Sequence, residues 1–360
     1  MKRIFNFSAG PAILPLQALE KAASELVNFN NSGMSIMEVS HRTPLYENVH
    51  NETLQLIREI LSVPAEYDIL LLQGGASSQF FMVPMNLIKD NMIADYVISG
   101  SWSEKAIKEA KILGKKVNIA ATSKETNFDR VPSTFNFTKD ACYVHITSNE
   151  TIQGVQYKKF PDTNGVPIII DASSDIFSYE IDWKNIGLIY AGAQKNAGPA
   201  GVTIVIIRKD LYERESDNIP TMLRYSTHAK ENSLYNTPPV FSIYMVNLTL
   251  KWLKSIGGIP GIKKINEEKA KLIYDVIDQS NGFYKGHAVK ENRSTMNVTF
   301  TLKNPELESK FIKESEAKNM VGLKGHRSVG GMRASIYNAM PIEGCKLLAD
   351  FMRDFIKNNA

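Results

Sequence analysis

Short apolar runs alternate with amphipathic segments through the first two thirds of the chain. Runs of mostly consecutive apolar residues predict strands that are buried on both faces. They lie at residues 68–72, 94–99, 141–146, 166–170, 187–191 and 202–207. Segments 79–88 and 103–113 carry apolar residues at the helical period and predict helices. Strands that alternate with helices indicate an α/β fold around a mainly parallel, mixed sheet.

The pattern changes near residue 259, where strands and helices cease to alternate regularly. The predicted order is helix 260–279, strand 295–302, helix 305–319, strands 321–323 and 332–336, and helix 341–358. This α+β pattern predicts a second, smaller domain. We therefore expect a large domain at residues 16–258 and a small domain built from residues 1–15 and 259–360.

Composition and charge narrow the classes of function. The 360 residues are 43% hydrophobic and 22% charged, as is typical of a globular protein. A net charge of +4 without a long basic run argues against a nucleic-acid partner. The two cysteines offer neither a disulfide framework nor metal-ligand spacing, so we expect no metal and a reduced, cytoplasmic setting. An apolar leader and a membrane-spanning apolar run are both missing from the sequence.

Two glycines follow the first buried strand, in the sequence Gly74-Gly75-Ala76-Ser77, which is predicted as a loop. Backbone N–H groups between a strand and a helix can hold a phosphate, assisted by the helix dipole. A plain tight turn explains the glycines equally well. The sequence is neither a Walker motif nor a dinucleotide fingerprint.

Three residues with unusual neighbours follow later strands. Lys195 lies among small residues in AQKNAGPAG, where a ligand can approach closely and a buried amine can form a Schiff base. Most lysines, however, are solvated surface charges. Asp171 ends an apolar strand and either caps a helix or contacts a ligand such as a pyridinium nitrogen. Trp102, in a predicted loop with serine and glycine neighbours, offers a flat face for a ring.

Basic residues cluster beside glycines in two distant segments, which contain His41-Arg42 and His326-Arg327 followed by Arg333. Arginine binds carboxylates and phosphates through two parallel hydrogen bonds. Any one of these arginines alone is better interpreted as part of a surface ion pair. Together with a candidate cofactor lysine, they favour a small substrate that carries several negative charges.

These motifs together resemble those of the phosphoserine aminotransferases, a family of class-V aminotransferases among the fold-type-I pyridoxal-phosphate enzymes. The resemblance runs the length of the chain, in the family's order, through FNFSAGPA (5–12), MSIMEVSHR (34–42), LLLQGGAS (70–77), SGSWSEKA (99–106), SNETIQGVQ (148–156), AGAQKNAGPAG (191–201), YNTPPVF (235–241), RSTMNVTF (293–300) and GHRSVGGMRASIYNAM (325–340). It implies a fold-type-I large domain, a smaller α+β domain and pyridoxal 5'-phosphate as the cofactor.

The resemblance also implies a role for each matching residue. Lys195 matches the Schiff-base lysine, Asp171 the acid at the pyridine nitrogen and Trp102 the stacking aromatic, and these three are the implied catalytic residues. Further cofactor contacts are implied for Ala76, Ser77, Thr151, Gln194, Asn236 and Thr237, the last two reaching the other subunit of a homodimer. Substrate contacts are implied for His41, Arg42, His326, Arg327 and Arg333.

The implied reaction converts 3-phosphohydroxypyruvate and L-glutamate into O-phospho-L-serine and 2-oxoglutarate by ping-pong kinetics. A phosphate carries about −1.5 to −2 charges near neutral pH, which accounts for the surplus of basic residues. A related four-carbon substrate of pyridoxine biosynthesis stays open. Two positions depart from some relatives, because Ser77 replaces an arginine and Ala9 replaces a serine.

Other functions fit the sequence less well. A cysteine desulfurase needs a cysteine on a mobile loop near the cofactor, whereas Cys142 and Cys345 lie in segments predicted as buried. An alanine–glyoxylate aminotransferase needs fewer basic residues. A non-catalytic sensor of phosphorylated metabolites has no reason to keep the lysine, the acid and the aromatic residue together.

Overall fold

The structure is a computed structural model that describes residues 3–359. The ends of the predicted small domain, residues 1, 2 and 360, lie outside the described residues. The α-helices are α1 (Leu16–Glu25), α2 (Pro44–Leu61), α3 (Gly75–Leu87), α4 (Ser101–Ile112), α5 (Tyr225–Lys230), α6 (Val240–Ser255), α7 (Gly258–Asp278), α8 (Glu308–Ala317) and α9 (Ile342–Asn359). The strands are β1 (Phe5–Asn6), β2 (Tyr67–Leu72), β3 (Ile93–Ile98), β4 (Lys116–Thr122), β5 (Val144–Thr147), β6 (Asn149–Glu150), β7 (Val155–Gln156), β8 (Ile168–Asp171), β9 (Ile186–Gly192), β10 (Thr203–Arg208), β11 (Tyr284–Gly286), β12 (Asn297–Leu302), β13 (Met320–Val321) and β14 (Met332–Ser335).

A seven-stranded sheet with the strand order β2-β10-β9-β8-β5-β3-β4 organises the larger part of the molecule. Strands β9, β8, β5, β3 and β4 run parallel, whereas β10 runs antiparallel to both its neighbours, β2 and β9. The predicted α/β fold with a mainly parallel, mixed sheet is confirmed. The carboxyl ends of all strands except β10 open on one edge, where sheets of this kind bind ligands.

Helices cover both faces of this sheet. On one face, α2, α6 and the start of α7 pack Leu56, Ile243 and Ile259 into a core with the strands. On the other face, α3 and α4 contribute Phe80 and Ile107 to a second core. The strands are apolar at consecutive positions because both of their faces are buried.

A separate core surrounds a three-stranded antiparallel sheet of order β11-β12-β14. Phe300, Phe311 and Phe355 are buried there, and α7 packs against α9. Strand β1 pairs in parallel with β13, so the first described residues join this core. Helix α7 spans both parts, with Ile259 in the core of the large sheet and Ile273 in this one. The domain boundary at residue 259 stays a prediction, which the division of the cores supports.

The structure corrects two local predictions. The helix predicted at 79–88 begins at Gly75, so the glycine sequence forms its start and not a separate loop. Trp102 is the second residue of α4, which begins at Ser101 and not at residue 103. Small and polar residues suggested loops at both places, but the first turn of a helix accepts them because its N–H groups have no partner within the helix.

Some elements have no counterpart among the predicted ones. Strand β4 lies at the edge of the sheet and keeps exposed and half-buried positions, so it lacks a continuous apolar run. Helices α1, α2 and α6 also have no predicted counterpart. Among the helices that the structure describes, none is long and apolar enough to cross a membrane.

Candidate active site

Four of the predicted site residues follow neighbouring strands at the carboxyl edge of the large sheet. Asp171 is the last residue of β8, and Lys195 comes three residues after the end of β9. Thr151 opens the turn that joins β6 to β7, and Trp102 lies in the turn of α4 that follows β3. Parallel strands end at the same edge, so residues distant in the sequence lie side by side.

Lys195 contacts two of these residues directly. Its Nζ donates a hydrogen bond to Thr151 Oγ1 over 2.7 Å and lies 4.9 Å from the centroid of the Trp102 ring. Burial lowers the pKa of the Lys195 amine, while the charges of Asp171 and Glu150 act in the opposite direction. The neutral amine is the form that attacks a carbonyl group, and a lowered pKa increases the fraction of lysine in that form.

Asp171 is a buried carboxyl at the bottom of this cluster. Its Oδ1 accepts a hydrogen bond from the Ser173 N–H over 3.0 Å, which is a local turn contact and not a helix cap. Its other oxygen makes no hydrogen bond within residues 3–359. Burial raises the pKa of Asp171, and the Lys195 charge opposes that shift. The carboxyl therefore keeps one oxygen for a ligand.

The start of α3 offers backbone donors beside the cluster. Gly74 and Gly75 have φ of 89° and 65°, a left-handed conformation that favours glycine. The Gly75 N–H donates to Thr203 Oγ1 over 2.7 Å, and Gly74, which precedes the helix, has no side chain to accept from the N–H groups that follow. The half-buried Ala76 and the exposed Ser77 thus have N–H groups in the uncapped first turn. That arrangement suits a phosphate, which favours the phosphate-cradle interpretation over a plain turn.

Arg333 and His326 bring positive charge towards Lys195. Arg333 lies on β14, and burial lowers the pKa of its guanidinium. Its charge also lowers the pKa of Lys195, and with Arg327 it lowers that of His326 beyond the effect of burial. Within residues 3–359, the Arg333 side chain makes no ion pair or hydrogen bond. An unpaired, largely buried guanidinium is a candidate receptor for a carboxylate.

The remaining predicted site residues make no hydrogen bond to the Lys195 side chain within the described part of the chain. Asn236 Nδ2 donates to Gln73 Oε1 over 3.2 Å, which sets Asn236 next to the glycine sequence, and Thr237 is exposed. Arg42 is exposed, and His41 Nε2 is buried without a partner in the described part of the chain. Gln194 follows β9, directly before Lys195. No described hydrogen bond, ion pair or ring contact joins His41, Arg42, Asn236 or Thr237 to Lys195.

Sequence reasoning missed three charged neighbours of the site. Glu150 and Asp175 are fully buried, and burial raises the pKa of each carboxyl to about 7. The Lys105 Nζ lies 4.1 Å from the Trp102 ring centroid. Glu150 directly precedes Thr151, and Asp175 follows Asp171 by four residues, so their spacing was the available signal. Their burial depends on distant elements and was not visible in the sequence.

A cleft of about 560 Å³ lies elsewhere and is lined by residues such as Lys158, Tyr179, Glu180 and Lys263. None of the predicted site residues lines it. We place the active site at the sheet edge because the lysine, the acid and the aromatic residue meet there. The part of the chain that the structure describes contains no cluster of three His, Cys, Asp or Glu side chains suited to a metal.

Comparison with known proteins gives a consistent result. The family model described as aminotransferase class-V matches residues 4–348. The chain belongs to the class-V aminotransferase family. A phosphoserine aminotransferase of Halalkalibacterium halodurans is 55% identical over 361 residues and covers 100% of both chains. Another, from Bacillus subtilis, is 51% identical over 360 residues with the same coverage.

Solved structures of this family agree in fold. A phosphoserine aminotransferase from Bacillus circulans subsp. alkalophilus has a TM-score of 0.98, 53% identity and 100% coverage of both chains. A pyridoxal-phosphate-bound one from Trichomonas vaginalis has a TM-score of 0.93 and 42% identity, and covers 98% of this chain and 100% of its own. The predicted family, enzyme class and cofactor are thereby confirmed: the chain is a pyridoxal-phosphate-dependent aminotransferase.

The residues present fit that cofactor. Lys195 offers an amine of lowered pKa, Asp171 a carboxyl with an unused oxygen, and α3 an uncapped N-terminus. The Trp102 Nε1 is buried without a hydrogen-bond partner among residues 3–359, as expected beside a ligand. The individual roles of the site residues stay predictions.

Proposed function

We propose that the chain transfers the amino group of L-glutamate to 3-phosphohydroxypyruvate, which gives O-phospho-L-serine and 2-oxoglutarate. The observation that carries the proposal is the position of Lys195, hydrogen-bonded to Thr151 and close to Asp171 and Trp102, with the unpaired Arg333 of β14 near enough for its charge to act on the amine. Names of relatives that are more than 50% identical over the full chain point to the same reaction.

When bound, pyridoxal phosphate supplies an electron sink for negative charge at the substrate Cα. Asp171 holds a proton at the ring nitrogen, and its burial and proximity to Lys195 suit that task. Trp102 covers one face of the ring, and Thr151 orients the Lys195 amine. When free, that amine takes the proton from the substrate Cα as a general base and delivers it, as a general acid, to the C4′ carbon of the cofactor.

Arg333 binds the α-carboxylate that every amino-acid substrate carries. His326 and Arg327, together with His41 and Arg42, receive the distal phosphate. Glutamate presents a carboxylate at its distal end and shares this pocket. Because each substrate carries an anionic group at both ends, one set of basic residues serves both half-reactions.

The active form we propose is a homodimer in which His41, Arg42, Asn236 and Thr237 complete the partner's site. The segment that precedes His41 exposes large apolar side chains, with Val27 exposed at 82% and Met37 at 56%. Leu26 and Met34 are also exposed. A second copy related by a two-fold axis would cover this surface and carry both basic residues across at once.

Substrate preference tests the proposal. The cofactor-loaded protein is mixed with O-phosphoserine, glutamate, serine or alanine, and the rate of oxo-acid formation is measured for each donor. We expect phosphoserine and glutamate to react much faster than the two neutral donors. Equal rates for phosphoserine and alanine would reject the proposed substrate class.

A further inference from the structure

The turn that carries Thr151 also carries a buried acid with no role in the reaction described above. Glu150, the last residue of β6, directly precedes Thr151 and is completely buried. Its carboxylate accepts hydrogen bonds from the first turn of α4. Oε2 accepts the Trp102 N–H over 3.0 Å, and Oε1 accepts the Ser103 N–H over 2.9 Å.

These bonds replace a cap that α4 lacks locally. Gly100 precedes the helix and has no side chain to accept from the free N–H groups. The Ser103 Oγ also lies 2.7 Å from Glu150 Oε1. A Cβ on Gly100 would lie 2.4 Å from Glu150 Cδ, so only glycine leaves room for the carboxylate. From the same turn, Gln153 Nε2 donates to Ser101 Oγ over 2.9 Å.

We propose that Glu150 is a positioning residue that fixes the Trp102 indole against the cofactor ring while its neighbour Thr151 fixes Lys195. The indole Nε1 has no hydrogen-bond partner among the described residues, so the ring is held by the backbone that Glu150 fixes and by the packing of Phe80 and Lys105. One short turn thus sets the distance between the stacking face and the reactive amine. The inference rests on the proposed placement of the cofactor between these two residues.

The surroundings of the carboxyl agree with this role. The charge of Asp171 on β8 raises the pKa of Glu150 further, and the charge of Glu150 in turn raises the pKa values of Lys195, Tyr157 and Tyr190. Burial raises the pKa of Glu150, whereas its bonds to Ser103 and to the Trp102 N–H lower it. Helix dipole and N–H donors stabilise the ionised form that this geometry requires.

A double-mutant cycle tests whether Glu150 acts through Trp102. The change Glu150→Gln places an amide N–H against an N–H donor of α4 at nearly unchanged volume. We measure the dissociation constant of pyridoxal phosphate, its visible circular dichroism, and kcat and KM for phosphoserine, each in wild-type and Trp102→Ala backgrounds. Glu104→Gln is the matched control, since Glu104 lies in the same turn but pairs with Lys124.

In the wild-type background, we expect Glu150→Gln to weaken cofactor binding roughly tenfold to a hundredfold, to alter the visible dichroism and to lower kcat more than it raises KM. In the Trp102→Ala background, the same change should have little further effect. Glu104→Gln should resemble the wild type in every measurement. Should Glu150→Gln not fold, Ser103→Ala removes one partner only and should give a smaller effect with the same dependence on Trp102.

Equal effects in both backgrounds, or no effect of Glu150→Gln, would overturn the inference. A failure of the proposed function looks different. In that case the wild-type protein itself, loaded with pyridoxal phosphate, would form no phosphorylated oxo acid from phosphoserine, while the effects of Glu150→Gln on cofactor binding and visible dichroism would still depend on Trp102.

Discussion

Lys195 lies between groups of opposite charge. The carboxylates of Asp171 and Glu150 favour its ammonium form, while burial and the Arg333 guanidinium favour the neutral amine. The balance lowers its pKa, so a proton leaves this amine more readily than it leaves a surface lysine. A lysine on the surface would stay charged and could not serve as a base. The chemistry at this residue therefore depends on its neighbours from three other elements.

The arginines divide the two ends of the substrate between them. Arg333→Ala should lower kcat/KM for phosphoserine and for alanine alike, because both carry an α-carboxylate. Arg327→Ala and Arg42→Ala should lower kcat/KM for phosphoserine far more than for alanine. Loss of a charge-assisted bond costs about 1.5–3 kcal/mol, roughly tenfold to a hundredfold in kcat/KM. Measuring kcat/KM for both donors checks this, and equal losses in all three variants would contradict the division.

A buried acid next to the site should leave a trace in the pH dependence of stability. Burial raises the pKa of Asp175 from 3.8 to about 7, so its protonated form stabilises the fold at low pH and that contribution is lost as the pH rises to about 7. Asp175→Asn removes this dependence. Urea unfolding across that pH range should give a smaller decline for the variant than for the wild type. An identical decline in both proteins would show that Asp175 does not titrate in this range.

At the scale of elements, strand ends and helix starts create the site. Consecutive apolar residues identify the buried strands in the sequence. The residues that follow the strand ends were therefore predictable as ligand contacts. Helix starts were not, because glycine and serine in the first turns of α3 and α4 look like loop residues. The role of Glu150 was not predictable either. Its hydrogen-bond partners lie about 48 residues earlier in the sequence and come close to it only when β3 and β5 pair.

Gly74 tests the phosphate cradle. Its φ is +89°, and a Cβ there would lie 1.9 Å from Ser78 Oγ, so Gly74→Ala should distort the start of α3. Gly282→Ala is the matched control, because Gly282 has a φ of +84° and open space around it. Both variants should lose about 1 kcal/mol or more of stability through strain. Only Gly74→Ala should weaken the binding of pyridoxal phosphate, as measured by equilibrium titration. An unchanged affinity would show that the start of α3 does not bind the cofactor phosphate.

At the scale of the whole molecule, two cores meet along α7, and the proposed second copy adds a further surface. The sequence pattern indicated the change of architecture near residue 259, since regular alternation of strands and helices stops there. The sequence pattern could not show that the apolar side chains before His41 are exposed, because such a pattern does not reveal whether the same chain or a second copy covers them.

Subunit exchange tests the shared sites. A Lys195→Ala chain is expected to be inactive and an Arg42→Ala chain to be strongly impaired with phosphoserine, but a mixed dimer of the two has one site with both residues intact. Random exchange should restore about a quarter of the sites. Lys195→Ala mixed with Arg327→Ala is the control and should restore none, because in the proposed dimer one chain supplies both of these residues to a site. No recovery in the first mixture, despite verified exchange, would mean that one chain builds each site.

The central claim is that the Lys195 amine drives amino transfer from a phosphorylated amino acid. The most direct measurement is a single half-reaction, in which cofactor-loaded protein meets O-phosphoserine without an oxo-acid acceptor and the released phosphorylated oxo acid is quantified. We predict release equal to the number of loaded sites in the wild type and nearly none in Lys195→Ala. Equal release by both proteins, or none by a fully loaded wild type, would contradict the account.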